Sequence, residues 1–276
     1  DIDYEIDYSK NVNAGNGKVI VTFKGNYSGS SERIFEITKK QLGDENVTIE
    51  YITTEYDGSE KKPSVTVTDG AKTLTEDIDY EISYSENVNA GTGKVVVIFK
   101  GNYSGSSEKT FEITRKQLGD ENIAIEYITT EYDGTSKQPK VTVTDGSITL
   151  TENVDYEISY GENINAGSGS VILIFKGNYV GNAEKIFEIT KKQLGDENVA
   201  IEYVTTEYDG NEKKPKPTSI RYYFNDVYSY SLIEGQDFNL SYANNTDAGT
   251  GTVTVNGVGG FSNSKSNNFT ITSASI

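Results

Sequence analysis

One phrase governs how this chain can fold. "DYEISYSENVNAGTGKVVVIFKGNYSGSSEKTFEI", residues 79–113, returns along the sequence at a fixed period. Tyr4, Tyr80 and Tyr156 fall in matching contexts 76 residues apart, as do Gly25-Asn26-Tyr27, Gly101-Asn102-Tyr103 and Gly177-Asn178-Tyr179. A more divergent copy starts at Asp237, 82 residues after Asp155, so six residues have been added within "KPTSIRYYFNDVYSYSLIEGQ". A lengthened hairpin is expected there. The units are 1–38 (the second half of a repeat), 39–114, 115–190 and a divergent 191–276. Repeats of this length can each hold a small core, unlike solenoid repeats that bury theirs only by stacking. No Pro- or Gly-rich linker parts "FEIT" from the next "KKQL" or "RKQL", so neighbouring units should abut with little freedom.

The residues within a unit are those of strands. Tyr (20) and Phe (10) abound, whereas Met, Trp, Cys and His are absent. "VTIEYI" (47–52) alternates, with Val47, Ile49 and Tyr51 on one face. Asp69-Gly70 stands between two candidate strands as a tight-hairpin signal. "DYEISY" (79–84) and "KTFEIT" (109–114) alternate again, and "KVVVIF" (94–99) is apolar throughout, as in a strand covered on both sides. Some six short strands per unit predict an all-β fold of tandem immunoglobulin-like β-sandwich modules in an elongated rod. Each module would measure on the order of 30 Å. Gly91 and Gly93 are expected to supply positive-φ turn geometry between two strands, and Tyr103 to plug a corner of the core. Phe261 takes that place in the last copy without a hydroxyl, which favours packing over recognition.

These phrases resemble a repeat of secreted and wall-attached proteins of Gram-positive gut bacteria and some archaea. The resemblance is carried by Tyr56-Asp57-Gly58, Pro63-Ser64-Val65-Thr66-Val67, Asp79-Tyr80, Gly101-Asn102-Tyr103-Ser104-Gly105 and Phe111-Glu112-Ile113. It extends to all four copies and is weakest at Gly260-Phe261-Ser262-Asn263. It implies immunoglobulin-like modules building the stalks of surface adhesins, with no enzyme activity and no particular ligand.

The chemistry in the sequence agrees with that expectation. Without His or Cys the usual triads, general bases and zinc sites are missing, and the acidic residues simply recur with the repeat, so an enzyme is not expected. The formal net charge of −17 argues against nucleic acid and anionic membranes as partners. No required cofactor is foreseen. Calcium is the one ion considered: Asp44, Glu45 and Asn46, with Asp120, Glu121, Asn122 and Asp196, Glu197, Asn198, are hard oxygen donors at the joints between modules. Asp57 and Asp133 are weaker donors, and three consecutive residues need further oxygens from a neighbouring module. Internal Lys–Asn cross-links are not expected, because Lys18 and Lys94 give way to Ser170 and Thr252.

Residues 1–38 hold "DYEIDY", "KVIVTF" and "RIFEIT" but lack the strands that precede them in a full unit. Three explanations stay open: a piece of a longer array, completion by strands from another copy, or a reduced module packed on the next unit. The expected role is a structural stalk or spacer of an extracellular, cell-surface adhesin whose partners are neighbouring modules or copies of itself. Two alternatives are a filament subunit joined by strand complementation, and a module for host glycan or protein. The Tyr-rich "IRYYFNDVYSYSL" of the last unit would make that contact.

Overall fold

The computed structural model describes residues 3–195, 199–202, 205–217, 219–223 and 229–275, and of 199–202 the backbone alone. They fall into two compact units, Asp1–Gln117 with Gly177–Val180, and Leu118–Lys176 with Gly181–Ile276. Regular structure in the described residues is β throughout, apart from the three-residue 3-10 turns Asp44–Asn46 and Asp120–Asn122.

Repeat 39–114, in the first unit, is a sandwich of two sheets. One has the strand order Val47–Ile49, Val65–Asp69, Lys72–Thr73; the other runs Thr53–Glu55, Ser106–Thr114, Gly91–Phe99, Tyr80–Ser85. The long strands pair antiparallel, from Gly91↔Ile113 to Ile98↔Ser106 on one side and from Lys94↔Ser85 to Phe99↔Tyr80 on the other. Thr53–Glu55 alone joins in parallel, beside Glu112–Thr114. The expected tight hairpin closes at Gly70, whose φ of +59° suits the first of two loop positions between Asp69 and Lys72.

The core follows from the period-two alternation. Leu42, Val47, Val67, Leu74, Tyr80, Val97, Phe99 and Tyr103 form one buried cluster. Val95, Phe111 and Ile113 form a second, with Ile49, Tyr51, Tyr56 and Tyr84 packed around it. Each such side chain contributes roughly 1.5–3 kcal/mol when fully removed from water. The apolar run 94–99 is not covered on both sides as the sequence led us to expect: Ile98 is 53% exposed, and Val96 is only half-buried. The second sheet lies on one face only; on the other, β-branched residues serve strand propensity rather than burial.

Gly91 has the positive φ foreseen for it, +139°. Gly93 does not. It lies within the continuous strand Gly91–Phe99, and a Cβ there would stand 2.4 Å from Cζ of Phe111. The far end of the ring sits over the glycine, as the rings of Phe35, Phe187 and Phe269 sit over Gly17, Gly169 and Gly251.

The second unit repeats the plan. The sheets Ile123–Ile125, Val141–Asp145, Ile148–Thr149 and Thr129–Glu131, Asn182–Thr190, Gly167–Phe175, Tyr156–Gly161 make one sandwich. Val199–Glu202, Ser219–Tyr223, Ser229–Ser231 and Thr206–Glu207, Ser264–Thr272, Gly249–Gly257, Phe238–Ala243 make the next. In the added segment, Ser219–Tyr223 and Ser229–Ser231 form an antiparallel hairpin with Tyr222 opposite Tyr230. Residues 224–228 lie outside the described residues.

Candidate functional site: the seams between consecutive repeats

In the first unit, the strand Ser30–Ile37 ends one repeat and, two residues later, Lys40–Gln41 is already paired with the next. Lys40 N–H donates to the Asn102 carbonyl at 2.9 Å and Leu42 N–H to that of Ser104 at 3.0 Å. Tyr103 faces Lys40, and Ser104 faces Gln41, in a short parallel ladder. Gly105, at φ +106°, admits this approach: a Cβ would fall 2.4 Å from the Leu42 carbonyl oxygen. The backbone therefore crosses from repeat to repeat through Thr38 and Lys39 alone, both exposed, before Lys40 pairs with the next repeat.

A side-chain clamp reinforces the crossing. Asn102 Oδ1 accepts from Ala14 N–H at 2.7 Å, and its Nδ2 donates to Asn13 Oδ1 at 3.0 Å. Both ends of one amide are thus engaged by the preceding Asn-Ala-Gly loop. The same arrangement recurs within the first unit. Asn178 Oδ1 accepts from Ala90 N–H at 2.9 Å, and its Nδ2 donates to Asn89 Oδ1 at 3.1 Å. Beside it, the rings of Tyr56 and Tyr179 meet edge to face at 5.5 Å.

The seam in the second unit keeps the ladder and changes the clamp. Lys192 N–H and Leu194 N–H donate to the Gly260 and Ser262 carbonyls, each at 2.9 Å. Gly260 replaces the asparagine, and a Cβ there would stand 2.3 Å from Cε1 of Tyr132. The Tyr132 ring stands against Gly260 and meets Phe261 edge to face at 5.5 Å, as Tyr56 meets Tyr179. The Lys192 ammonium is paired with Glu131. The corner aromatic therefore serves both core and seam: Tyr103, Tyr179 and Phe261 are all buried. Sequence reasoning foresaw the plug but missed the amide beside it. Its signal was the joint recurrence of Gly-Asn-Tyr and Asn-Ala-Gly, motifs whose contacting residues lie 88 positions apart.

The Gly-Asp-Glu-Asn turns have a structural use. Asn46 Oδ1 accepts from Gly43 N–H at 3.0 Å while Nδ2 donates to the Thr68 carbonyl at 2.9 Å. Asn122 does the same with Gly119 and Thr144, both at 3.0 Å. Asp44 Oδ1 accepts from the Ser107 hydroxyl at 2.7 Å, a bond that holds its carboxyl below the ordinary value. Asp120 instead accepts from Glu184 N–H at 2.9 Å. Glu45 and Glu121 are exposed. Among the described residues, no three Asp or Glu side chains gather to hold a metal ion, and the turn's own oxygens fall short of a six- to eight-oxygen calcium shell. Asp196, Glu197 and Asn198 lie outside the described residues.

Asp57 and Asp133 each have a cation already. The buried stems of Lys61 and Lys137 bring their ammonium groups to 2.6 Å from these carboxylates. Hydrogen bonds from Lys61 and then Ser59 hold the Asp57 carboxyl far below its usual range. Of the tyrosines in the added segment, Tyr222 is fully buried, the Tyr230 ring stacks on Phe261 at 6.5 Å, Tyr223 is 40% exposed, and Tyr228 lies outside the described residues. An open groove of 720 Å³ lies beside Ile52, Gly91 and Phe111.

The family described as MBG domain matches residues 45–117 and 122–193, more than half of the chain. A second family, described as Lipoprotein associated domain, matches residues 201–273. No curated protein matches. Similar solved structures include a protocadherin gammaB7 EC3-6 cis-dimer, 12% identical over 98% of this chain and 92% of that one, with a TM-score of 0.22. A protocadherin gamma B7 fragment of extracellular cadherin domains 1–4 is 10% identical over 95% and 84%, with a TM-score of 0.19. The human desmocollin-1 ectodomain is 10% identical over 95% and 65%, at 0.21. With two adjoining sandwich repeats matched along most of their length, this chain belongs to the MBG domain family.

Proposed function

We propose that the chain is a structural spacer of an extracellular surface protein, a series of repeats that holds another part of an assembly at a distance and carries out no catalysis. The observation that carries this reading is the seam. A long connector free to swing would leave many backbone groups to water, whereas here only Thr38 and Lys39 separate the strand ending at Ile37 from the ladder starting at Lys40, and an asparagine amide grips the previous repeat. Such construction serves transmission of position rather than ligand capture. The net charge of −17 favours a soluble, self-repelling surface, and no helix among the described residues is long and apolar enough to cross a membrane. The surface-adhesin character of the spacer rests on the sequence resemblance.

Cysteine-free sequence makes the test direct, because introduced cysteines are the only labelling sites. Spin labels at Lys10 and Lys62, both exposed and both in the first unit, should report one narrow distance distribution by pulsed electron resonance. Glu152 and Lys214 form the matching pair in the second unit. Broad distributions in both pairs would show swinging joints and remove the basis for a spacer.

A further inference from the structure

Residues 1–38 build the same three strands as residues 77–114, in the same register. Tyr4 faces Phe23 and Gly15 faces Ile37, as Tyr80 faces Phe99 and Gly91 faces Ile113. Their surroundings differ. Tyr80, Phe99 and Phe111 are 5%, 5% and 2% exposed, whereas Tyr4, Phe23 and Phe35 are 49%, 41% and 38% exposed. The first sheet thus presents to solvent the aromatic face that its copy buries.

The molecule itself shows what covers such a face. In repeat 39–114 the cover consists of Leu42, Val47, Ile49, Tyr51, Val65 and Val67, all from the first half of the repeat. That half also supplies polar partners. The Ile52 carbonyl accepts from Glu112 N–H at 2.8 Å, and Tyr56 N–H donates to the Thr114 carbonyl at 2.9 Å, which caps the outer edge of the last strand. The Tyr84 hydroxyl donates to the Pro63 carbonyl at 2.9 Å, and Asn87 Nδ2 donates to the Lys61 carbonyl at 3.0 Å. The counterparts of these recipients in the first sheet are Glu36, Thr38, Tyr8 and Asn11. Tyr8 and Asn11 are exposed, and no described strand lies beyond Ser30–Ile37.

We propose that residues 3–38 are an acceptor for one further first half of the same repeat, a segment of the type of residues 39–76 supplied from outside residues 1–276. It would lay a three-stranded sheet over Tyr4, Phe23 and Phe35 and add a short parallel strand beside Glu36–Thr38, by strand augmentation. A second copy of this chain is the poorer occupant. Its described first halves already cover their own second halves, and two acceptor sheets placed face to face would leave both outer edges uncapped.

The test uses hydrogen exchange of the 276-residue chain, alone and with a synthetic peptide of residues 39–76. It is repeated on a chain with the same residues fused ahead of Asp1, which removes any dependence on peptide solubility. Protection in Tyr4–Ser9 and Ser30–Ile37 should rise about tenfold or more toward that of Tyr80–Ser85 and Ser106–Thr114. The fusion with Val47→Asp and Val67→Asp in the added segment alone should show no rise, while residues 39–276 keep their native sequence. A rise in the fused chain, with or without one in the peptide mixture, supports the proposal. No rise in the fused chain overturns it. So does protection of 3–38 that grows with concentration of the unmodified chain, because a second copy would then be the cover.

Discussion

Phe35 and Phe111 lie over glycines in the same way, Gly17 and Gly93, and pair across the same rungs of the same three-stranded arrangement. One ring is sealed beneath a second sheet and the other meets water. The local sequence therefore decides strand, register and face, and the cover alone decides what those choices contribute to stability. Burial is a property of the pair of halves. The comparison gives its largest effect when the rings are removed. Phe111→Ala should cost about 3–5 kcal/mol through lost transfer and an unfilled cavity. Phe35→Ala should cost about 1 kcal/mol or less, because its ring is already partly in water and leaves no enclosed void. Segment-resolved hydrogen exchange reads both, since a chain of several units does not unfold in a single two-state step. Equal losses would mean that residues 3–38 are covered in solution.

The glycines beneath those rings sharpen the contrast at a smaller scale. Gly93→Ala places a methyl group 2.4 Å from a fixed ring and should cost about 1–3 kcal/mol by overpacking. At Gly17 the clash is as close, but the Phe35 ring has open space to turn into, so Gly17→Ala should cost well under half as much. Thermal melts followed at the two strand sets separate the outcomes. A Gly93→Ala protein as stable as its parent would refute the reading of Gly93 as a packing glycine.

Much of this architecture was legible in the repeat. The alternation of Phe111 and Ile113, the Asp69-Gly70 hairpin and the corner place of Tyr103 need only local pattern, and each stands where pattern puts it. What pattern could not show depends on residues far away in sequence. Gly93 resembles a turn glycine until Phe111 is seen above it, and Ile98 resembles a core residue until one sheet face is found bare. Gly43-Asp44-Glu45-Asn46 suggested an ion because its acids are conspicuous. Its Gly-x-x-Asn spacing carries a structural use as well, since Asn46 Oδ1 accepts from Gly43 N–H and Asn46 N–H donates to the Gly43 carbonyl. The clamp was hidden because nothing local in Gly-Asn-Tyr announces a partner such as Ala14.

Asn102 ties the uncovered sheet to the covered repeat, so its removal tests the border between the two regions. Asn102→Ala deletes the amide that meets Ala14 N–H and Asn13 Oδ1, at a cost of about 1 kcal/mol for the bonds lost, since both partners can turn to water. Exchange at Ala14 should accelerate several-fold while Val95 and Phe111 are unchanged. The Lys10 and Lys62 label pair should broaden in parallel. A variant that loosens Phe111 as well would show that Asn102 belongs to the core instead of the seam.

The smallest expected effect is a difference in acid response. Asp44 seats the strand Ser106–Thr114 through the Ser107 hydroxyl, and this bond lowers its carboxyl from the ordinary 3.8. A depressed folded-state value means that the contribution is present in full above the ordinary value and is lost as pH falls through the lowered one. Ser31, the counterpart of Ser107, is exposed, and among the described residues no carboxylate is bonded to its hydroxyl. On titration from pH 7 to pH 2, the Ser107 and Glu108 amide resonances should therefore move with an apparent value below 3.8, while those of Ser31 and Glu32 show no matching step. Asp44→Asn should erase the step at Glu108 and leave residues 3–38 untouched. If the first half proposed for the acceptor is fused ahead of Asp1, it brings its own copy of Asp44, and the same step should then appear at Glu32. The two sheets would become alike in their response to acid once they are alike in cover.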